Sequence, residues 1–449
     1  MEIYGTFAFG ENTYPFVLDD RIVRIIGKPL QYTKDFLDIA EVERIDGVTS
    51  SNRDICFLRC KFIKSFLGTC TSFSIQGYAL SSNNVGIPCD FTYDKSVFSS
   101  DAIDTFFSPQ KAVEIDMDIN NWDGTIDIHV SPFDKTKIAF SYLYSQCQIN
   151  VARYIRIQKY PTSIGEVNTL FSFEYQESQP LERIIDDYLA LYDFLSFVNY
   201  NANIGFKEIH ICKRGDQKAL RETAKIHLFT NKREYENTSR DCITIDDIPT
   251  EKLGDIFTRV ASLRNNDMRL RYYFPDNRTE ARYIDPGKWL IMALNFEGLF
   301  ATTFPDYKSR GNASFRRAKD LILKRIDNET DGECLSKKQT EYYGKCREQV
   351  ERYEGQLEEK FNYAIRTNAE ALEKILEYNE KTHNIKKRYN YGNNYATYRN
   401  KIAHGSIEPL TSNEIATYRI IQSLIYILLL SNLDLKASDI AKIIEKLFL

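Results

Sequence analysis

The period of apolar positions changes partway along the chain, and that change predicts two domains of different class. In the first half the apolar residues come in short runs rich in β-branched and aromatic side chains, at 3–9, 21–26, 55–62, 71–79, 113–119, 125–130, 137–144 and 150–158. Turn-forming stretches such as Leu18-Asp-Asp and Ser81-Ser-Asn-Asn bound them. Regularly spaced runs of this kind predict an antiparallel sandwich or barrel. A helix over 181–198 follows, with Ile184, Tyr188, Leu191 and Leu195 at helical spacing, and then strands at 205–212 and 224–230.

From about Thr250 the apolar spacing becomes that of helices. The segments are 250–264, an all-round apolar 289–304, a basic amphipathic 313–326, and a long 339–378 striped by Val350, Leu357, Phe361, Ile365, Leu372 and Ile375. A helix over 394–404 comes next. An apolar helix over 411–430 follows, opened by a capping box of Thr411 and Glu414, and Ser438 caps a last helix to 448. The expectation is α+β: an antiparallel β-sandwich-like domain over 1–249, then a helical bundle over 250–449.

Composition narrows the class without naming a function. Hydrophobic content of 43% and aromatic content of 13% suffice for buried cores, and no tract is of low complexity. The longest greasy stretch, 420–430, is interrupted by Gln422 and Ser423 and is read as a core helix, so no membrane association is expected. The start of the chain lacks a basic leader and an apolar signal core, which predicts a cytoplasmic location. Nine scattered cysteines form no paired zinc spacing and are read as reduced thiols, mostly core filler.

Chemistry concentrates in Tyr398-Arg-Asn-Lys-Ile-Ala-His-Gly405. His404 is one of five histidines, and Arg399 supplies the chain's only Arg five residues ahead of a His. An imidazole moves protons, a guanidinium holds a phosphate, and a carboxamide orients a hydroxyl, so Arg399, Asn400 and His404 suit phosphodiester cleavage without metal or other cofactor. Asn400 and His404 share a helix face, whereas Arg399 lies about 140° round the axis from His404. A second copy across a two-fold axis would complete such a site. Residues 381–407 contain no Asp or Glu on a chain of net charge −4. Lys386, Lys387, Arg388 and Lys401 alternate there with tyrosines that include Tyr395 and Tyr398, a pattern suited to single-stranded nucleic acid.

The Arg399-Asn400-x-x-x-His404 motif, on a bundle helix just before an apolar helix, resembles the HEPN ribonucleases, and Glu297 in Leu294-Asn-Phe-Glu resembles an early-helix Glu of one branch. The opening Tyr4-Gly-Thr-Phe and the strand-rich first half look like ApeA-type proteins, which join a β-rich sensing domain to a C-terminal HEPN bundle. The resemblance implies a homodimer with facing motifs and metal-independent cleavage of RNA, tRNA in the ApeA branch. It also implies antiphage abortive infection, set off by a phage-derived trigger acting on the first half. The alternative is a bundle that has lost catalysis and only binds RNA or protein.

Other signals are weaker. Asp116-x-Asp118-x-Asn120 has nearly the spacing of a calcium loop, but Asn121 stands where Gly is needed, and a hairpin turned at Asp123-Gly124 is the better reading. His129, His210 and His227 fall in strand patterns. His383 ends the long helix, and Arg316, Arg317 and Lys319 read as a solvated face. The P-loop, the Gly-x-Ser-x-Gly elbow and the His-Glu-x-x-His motif do not occur.

Overall fold

The computed structural model describes residues 2–31, 41–64, 69–82, 86–88, 90–107, 113–116, 127–130, 136–142, 145–156, 166–215, 219–229, 240–265, 274–307, 313–332, 335–352, 357–387, 389–406, 408–433 and 435–449. The chain divides into two compact units, one of residues 1–266 with 274–278, the other of 267–273 with 279–449.

The first unit carries strands β1 (Ile3–Phe9), β2 (Asn12–Asp19), β3 (Ile22–Ile25), β4 (Leu30–Gln31), β5 (Glu41–Thr49), β6 (Asp54–Lys64), β7 (Thr69–Ser74) and β8 (Gly77–Ser81). After them come β9 (Thr92–Ser99), α1 (Asp101–Phe107), β10 (Val113–Asp116), β11 (Asp127–Val130), β12 (Thr136–Tyr142), β13 (Ser145–Arg156) and β14 (Glu166–Pro180). Helix α2 (Ile184–Asn199), β15 (Glu208–Arg214), β16 (Leu220–Leu228) and α3 (Leu253–Asn265) complete it.

Antiparallel pairing closes a ring, β6-β5-β1-β2-β3-β7 and back to β6. The N-terminal part of β6 also pairs with β8, and the sheet runs on through β16, β15, β9, β14 and β13 to β12. The expected sandwich-like pair of sheets is therefore a closed barrel continued by an open sheet. The switch happens within β6: Ile55–Leu58 face β8 and Lys61–Lys64 face β7. Between them Arg59 adopts φ +49°, an unusual conformation for a residue with a Cβ, and ion-pairs with Asp186 at 2.9 Å. Barrel closure gathers Phe7, Phe16, Phe57 and Phe73 inside, with edge-on ring contacts of 5.1–5.7 Å.

Helix α3 was expected to open the bundle. It belongs to the first unit instead, because Phe257 packs on Phe171, Phe173 and Phe194. The boundary thus falls after α3 rather than at 249/250. Strands β10 and β11 pair from Val113↔Val130 to Asp116↔Asp127, as the hairpin reading requires; residues 117–126, the heart of the calcium-like spacing, lie outside the described residues. His129 sits in β11, His210 lies between Glu208 and Glu222, and His227 stacks on Tyr78. Cys56, Cys60, Cys70 and Cys242 are buried free thiols, whereas Cys346 is exposed and so is not core filler.

Following the short α4 (Arg278–Arg282), the second unit is helical: α5 (Pro286–Thr303), α6 (Ala313–Gly332), α7 (Lys337–Arg352), α8 (Leu357–Thr367), α9 (Ala369–His383), α10 (Tyr391–Ala403), α11 (Ser412–Ser431) and α12 (Ala437–Phe448). The single long helix expected over 339–378 is three helices, with the break between α8 and α9 at Asn368. Asp285 caps α5 ahead of Pro286, and the Thr411–Glu414 capping box opens α11 as expected. Lys436, not Ser438, stands at the start of α12.

Helix α11 is the hub, packing against α5, α9, α10 and α12. It is the one helix among the described residues long and apolar enough to cross a membrane, and 78% of its apolar window is buried within the protein. Its buried polar groups are used locally: Asn394 donates to Thr417 Oγ1 at 3.1 Å and Asn379 to the Ala416 carbonyl at 3.2 Å.

Candidate active site

Helix α10 is placed from its N-terminal end. Asn390 caps it, and Gly392 lies against α8 so closely that a Cβ there would stand 2.5 Å from the Glu358 carbonyl oxygen. Tyr391, Tyr395 and Tyr398 follow at the i, i+4, i+7 spacing of a buried stripe, and all three are buried. The ring of Tyr395 stacks on Phe361 at 4.4 Å and 3°, and Tyr398 meets Trp289 edge-on at 5.1 Å. Tyr395 and Tyr398, expected to stack on RNA bases, are therefore core residues. Their spacing carried that information, which the alternation with cations obscured.

The far end of α10 presents the motif. Ser406 N–H donates to the Lys401 carbonyl and Gly405 N–H to the Ile402 carbonyl, both at 2.9 Å, with Gly405 at φ +83°. This pairing ends the helix and makes His404 its C-cap residue. The expected helix end is thus present. His404 and Asn400 are exposed, and no hydrogen bond of the His404 imidazole is found among the described residues.

Arg399 is turned toward α5. Its Nε donates to Glu297 Oε1 at 3.1 Å, with Nη2 3.5 Å from Oε2. Tyr395 donates its hydroxyl to the same Oε1 and also lies 3.1 Å from the Ala293 carbonyl. Burial holds the Tyr395 phenol well above its usual range, which keeps it a donor. Arg399 Nη1 is 3.5 Å from Asn400 Oδ1, the outer limit of a hydrogen bond. Two of the three motif side chains are thereby in contact, while His404 stands a turn further on, as the helical angle requires.

Two lysines of the acid-free segment are paired with carboxylates from outside it. Lys387 pairs with Glu377 at 3.1 Å and Lys401 with Glu408 at 2.8 Å. Lys386 is exposed, and Arg388 lies outside the described residues. Carboxylates from α5, α9 and the loop after α10 supply what the segment itself lacks. His383 is half-buried, 3.3 Å from Arg419 Nη1; burial, then that neighbouring cation, lowers its pKa. Sequence reasoning missed Tyr395 as an orienting group and Glu408 and Arg419 as partners, since nothing local marks a contact between distant segments.

A cleft of about 770 Å³ in this unit is lined by Phe304, Tyr307, Glu358, Asn362, Tyr363 and Arg366 and does not include the motif residues. Among the described residues no group of three or more His, Cys, Asp or Glu side chains is arranged to hold a metal ion. Comparison with known families, curated proteins and solved structures finds no match.

Proposed function

We propose that this chain is a metal-independent endoribonuclease of HEPN type, directed at tRNA and acting in antiphage abortive infection, with the organisation of the ApeA-type proteins. The observation that carries the reading is the end of α10: Arg399 braced by Glu297, with Asn400 and His404 exposed beside it. In this reading His404 takes the proton of a ribose 2′-hydroxyl, whose oxygen attacks phosphorus while the bond to the 5′-oxygen breaks. The leaving oxygen receives a proton from the His404 of the second copy. Arg399 binds the phosphate as its charge builds, and Asn400 orients the hydroxyl. A 2′,3′-cyclic phosphate remains, and DNA is not a substrate because it lacks the nucleophile. The active form is a homodimer with facing motifs, and a phage-derived trigger acting on the barrel unit raises its basal rate.

A second reading, a bundle that has lost catalysis and only binds RNA or protein, gains in its protein-binding form from one observation. Lys387, Arg399 and Lys401 are each paired with a carboxylate, and the segment's Tyr391, Tyr395 and Tyr398 are buried. Induced expression separates the two. Cells making the wild type stop growing with fragmented tRNA, whereas His404→Ala leaves growth and RNA intact. Equal behaviour of the two chains refutes the enzyme reading.

A further inference from the structure

The cleft between the end of α5 and helix α8 shares no residue with the motif, and its lining combines rings with charge. Tyr363 meets Phe304 edge-on at 5.2 Å and Tyr307 at 4.7 Å, and all three rings line the cleft half-buried. Four charged side chains line it too, the carboxylates of Asp306, Glu358 and Glu359 and the guanidinium of Arg366. Burial first, and then Glu359, hold the Tyr307 phenol above its ordinary range while Arg366 pulls it down, so both charges act on that ring. Helix α5 ends at Thr303 and Phe304, which brings the negative end of a helix dipole to the cleft. The neighbouring Lys360 is not a lining residue, and Lys308 and Arg310 lie outside the described residues.

This lining selects a cation of organic size. Three carboxylates stand against one guanidinium, and ring faces attract a cation further. The carboxylates come from two segments, Asp306 after α5 and Glu358 and Glu359 on α8. A ligand with two or more ammonium groups can meet both while its methylenes lie on the rings. A volume of about 770 Å³ suits an organic ligand, and among the described residues no group of three or more His, Cys, Asp or Glu is arranged to hold a metal ion.

Two of the lining residues also hold the start of the motif helix. Asn362 Oδ1 accepts from Gly392 N–H at 3.1 Å, and Asn362 Nδ2 donates to Asn390 Oδ1 at 3.1 Å. Asn390, which caps α10, donates its Nδ2 to Glu358 Oε1 at 2.8 Å. An ammonium drawn to the Glu358 carboxylate therefore competes with the capping residue for it. We propose that this cleft binds an organic polyamine, and that its occupation loosens the Asn390 cap of α10. Neither part rests on the ribonuclease reading.

Calorimetric titration of the full chain with spermidine tests the site. One binding event is expected, and Mg²⁺ at equal ionic strength does not abolish it. Glu359→Gln and Tyr307→Leu each weaken binding by about 2–5-fold, and Arg366→Gln, which removes the opposing charge, tightens it by a similar factor. Glu445→Gln changes the charge of the chain as Glu359→Gln does, but at a residue outside the lining, and leaves binding unchanged. On saturation, hydrogen exchange of the Gly392 and Asn393 amides quickens. The proposal is overturned by absence of spermidine binding, by binding that Mg²⁺ abolishes, or by Glu359→Gln and Arg366→Gln that both bind as the wild type does. Binding of AMP in place of spermidine gives the cleft to an anion and also overturns it. Saturation without any change in exchange at Gly392 and Asn393 overturns the link to α10.

Discussion

Arg399 and Glu297, 102 residues apart, meet side by side at 3.1 Å, and the hydroxyl of Tyr395 closes on the same carboxylate. The guanidinium is thereby held in one orientation, in a half-exposed position where both partners keep some contact with water. In the proposed ribonuclease, Glu297 is the positioning residue for the group that holds the phosphate.

Removing the brace and removing only its charge have different consequences. Glu297→Ala frees Arg399 to wander, and a misplacement of about 1 Å costs on the order of 10²-fold in turnover. Glu297→Gln keeps an acceptor for Nε while leaving the guanidinium more available to phosphate, so kcat stays within about 3-fold. Steady-state cleavage of tRNA by both variants checks this; equal losses would show that geometry is not what Glu297 supplies.

Tyr395 is expected to matter through packing, not through RNA. Tyr395→Phe loses a buried hydroxyl contact and about 1 kcal/mol of stability. Tyr395→Ala opens a cavity beside Phe361 and Trp289 and costs roughly 3–5 kcal/mol. Denaturant unfolding gives both values. RNA affinity of Tyr395→Phe matches the wild type, and a large loss would return the ring to the binding surface.

At Gly392 the approach of α10 to α8 leaves no room for a methyl group, because the obstacle includes the backbone carbonyl of Glu358. Gly392→Ala should destabilise by about 1–3 kcal/mol and, by shifting α10, lower turnover as well. A stable, fully active variant would show that the helix tolerates displacement.

In the barrel unit, Asp187 is fully buried, bonded by Tyr93 at 2.9 Å, Ser96 at 2.8 Å and Tyr175. Burial nevertheless outweighs these donors and the nearby Arg183, and pushes the carboxyl up to about 6. The native state therefore binds the proton more tightly than the unfolded chain, whose Asp titrates near 3.9. This group's contribution is fully present below about pH 4 and is lost as pH rises through about 6, a change of ~3 kcal/mol. Thermal unfolding of Asp187→Asn across that range should lack this component of the slope. An unchanged slope would assign it to other carboxylates.

Much of this was legible in the residues, and what was not has physical causes. Helices α10 and α11 were placed within a few positions because Thr411, Glu414 and Gly405 are local signals that bind the backbone directly. Strands β2, β5, β9 and β14 were missed. Glu41, Glu43 and Arg44 interrupt the apolar alternation of β5, and Asp94 and Ser96, buried and hydrogen-bonded in β9, look like turn residues in sequence. Barrel closure depends on one strand changing partners near Arg59, which no periodicity encodes. The motif and Glu297 were plain, whereas the pairing of Lys387 with Glu377 and of Lys401 with Glu408 was not, since nothing local marks it.

The most direct measurement is the incubation of pure protein with total tRNA in EDTA, followed by mapping of the RNA ends. Discrete fragments ending in 2′,3′-cyclic phosphate and 5′-hydroxyl are expected, with turnover by His404→Ala lower by about 10²–10⁴-fold. Intact tRNA after that incubation, or the same fragments at the same rate from His404→Ala, would contradict it.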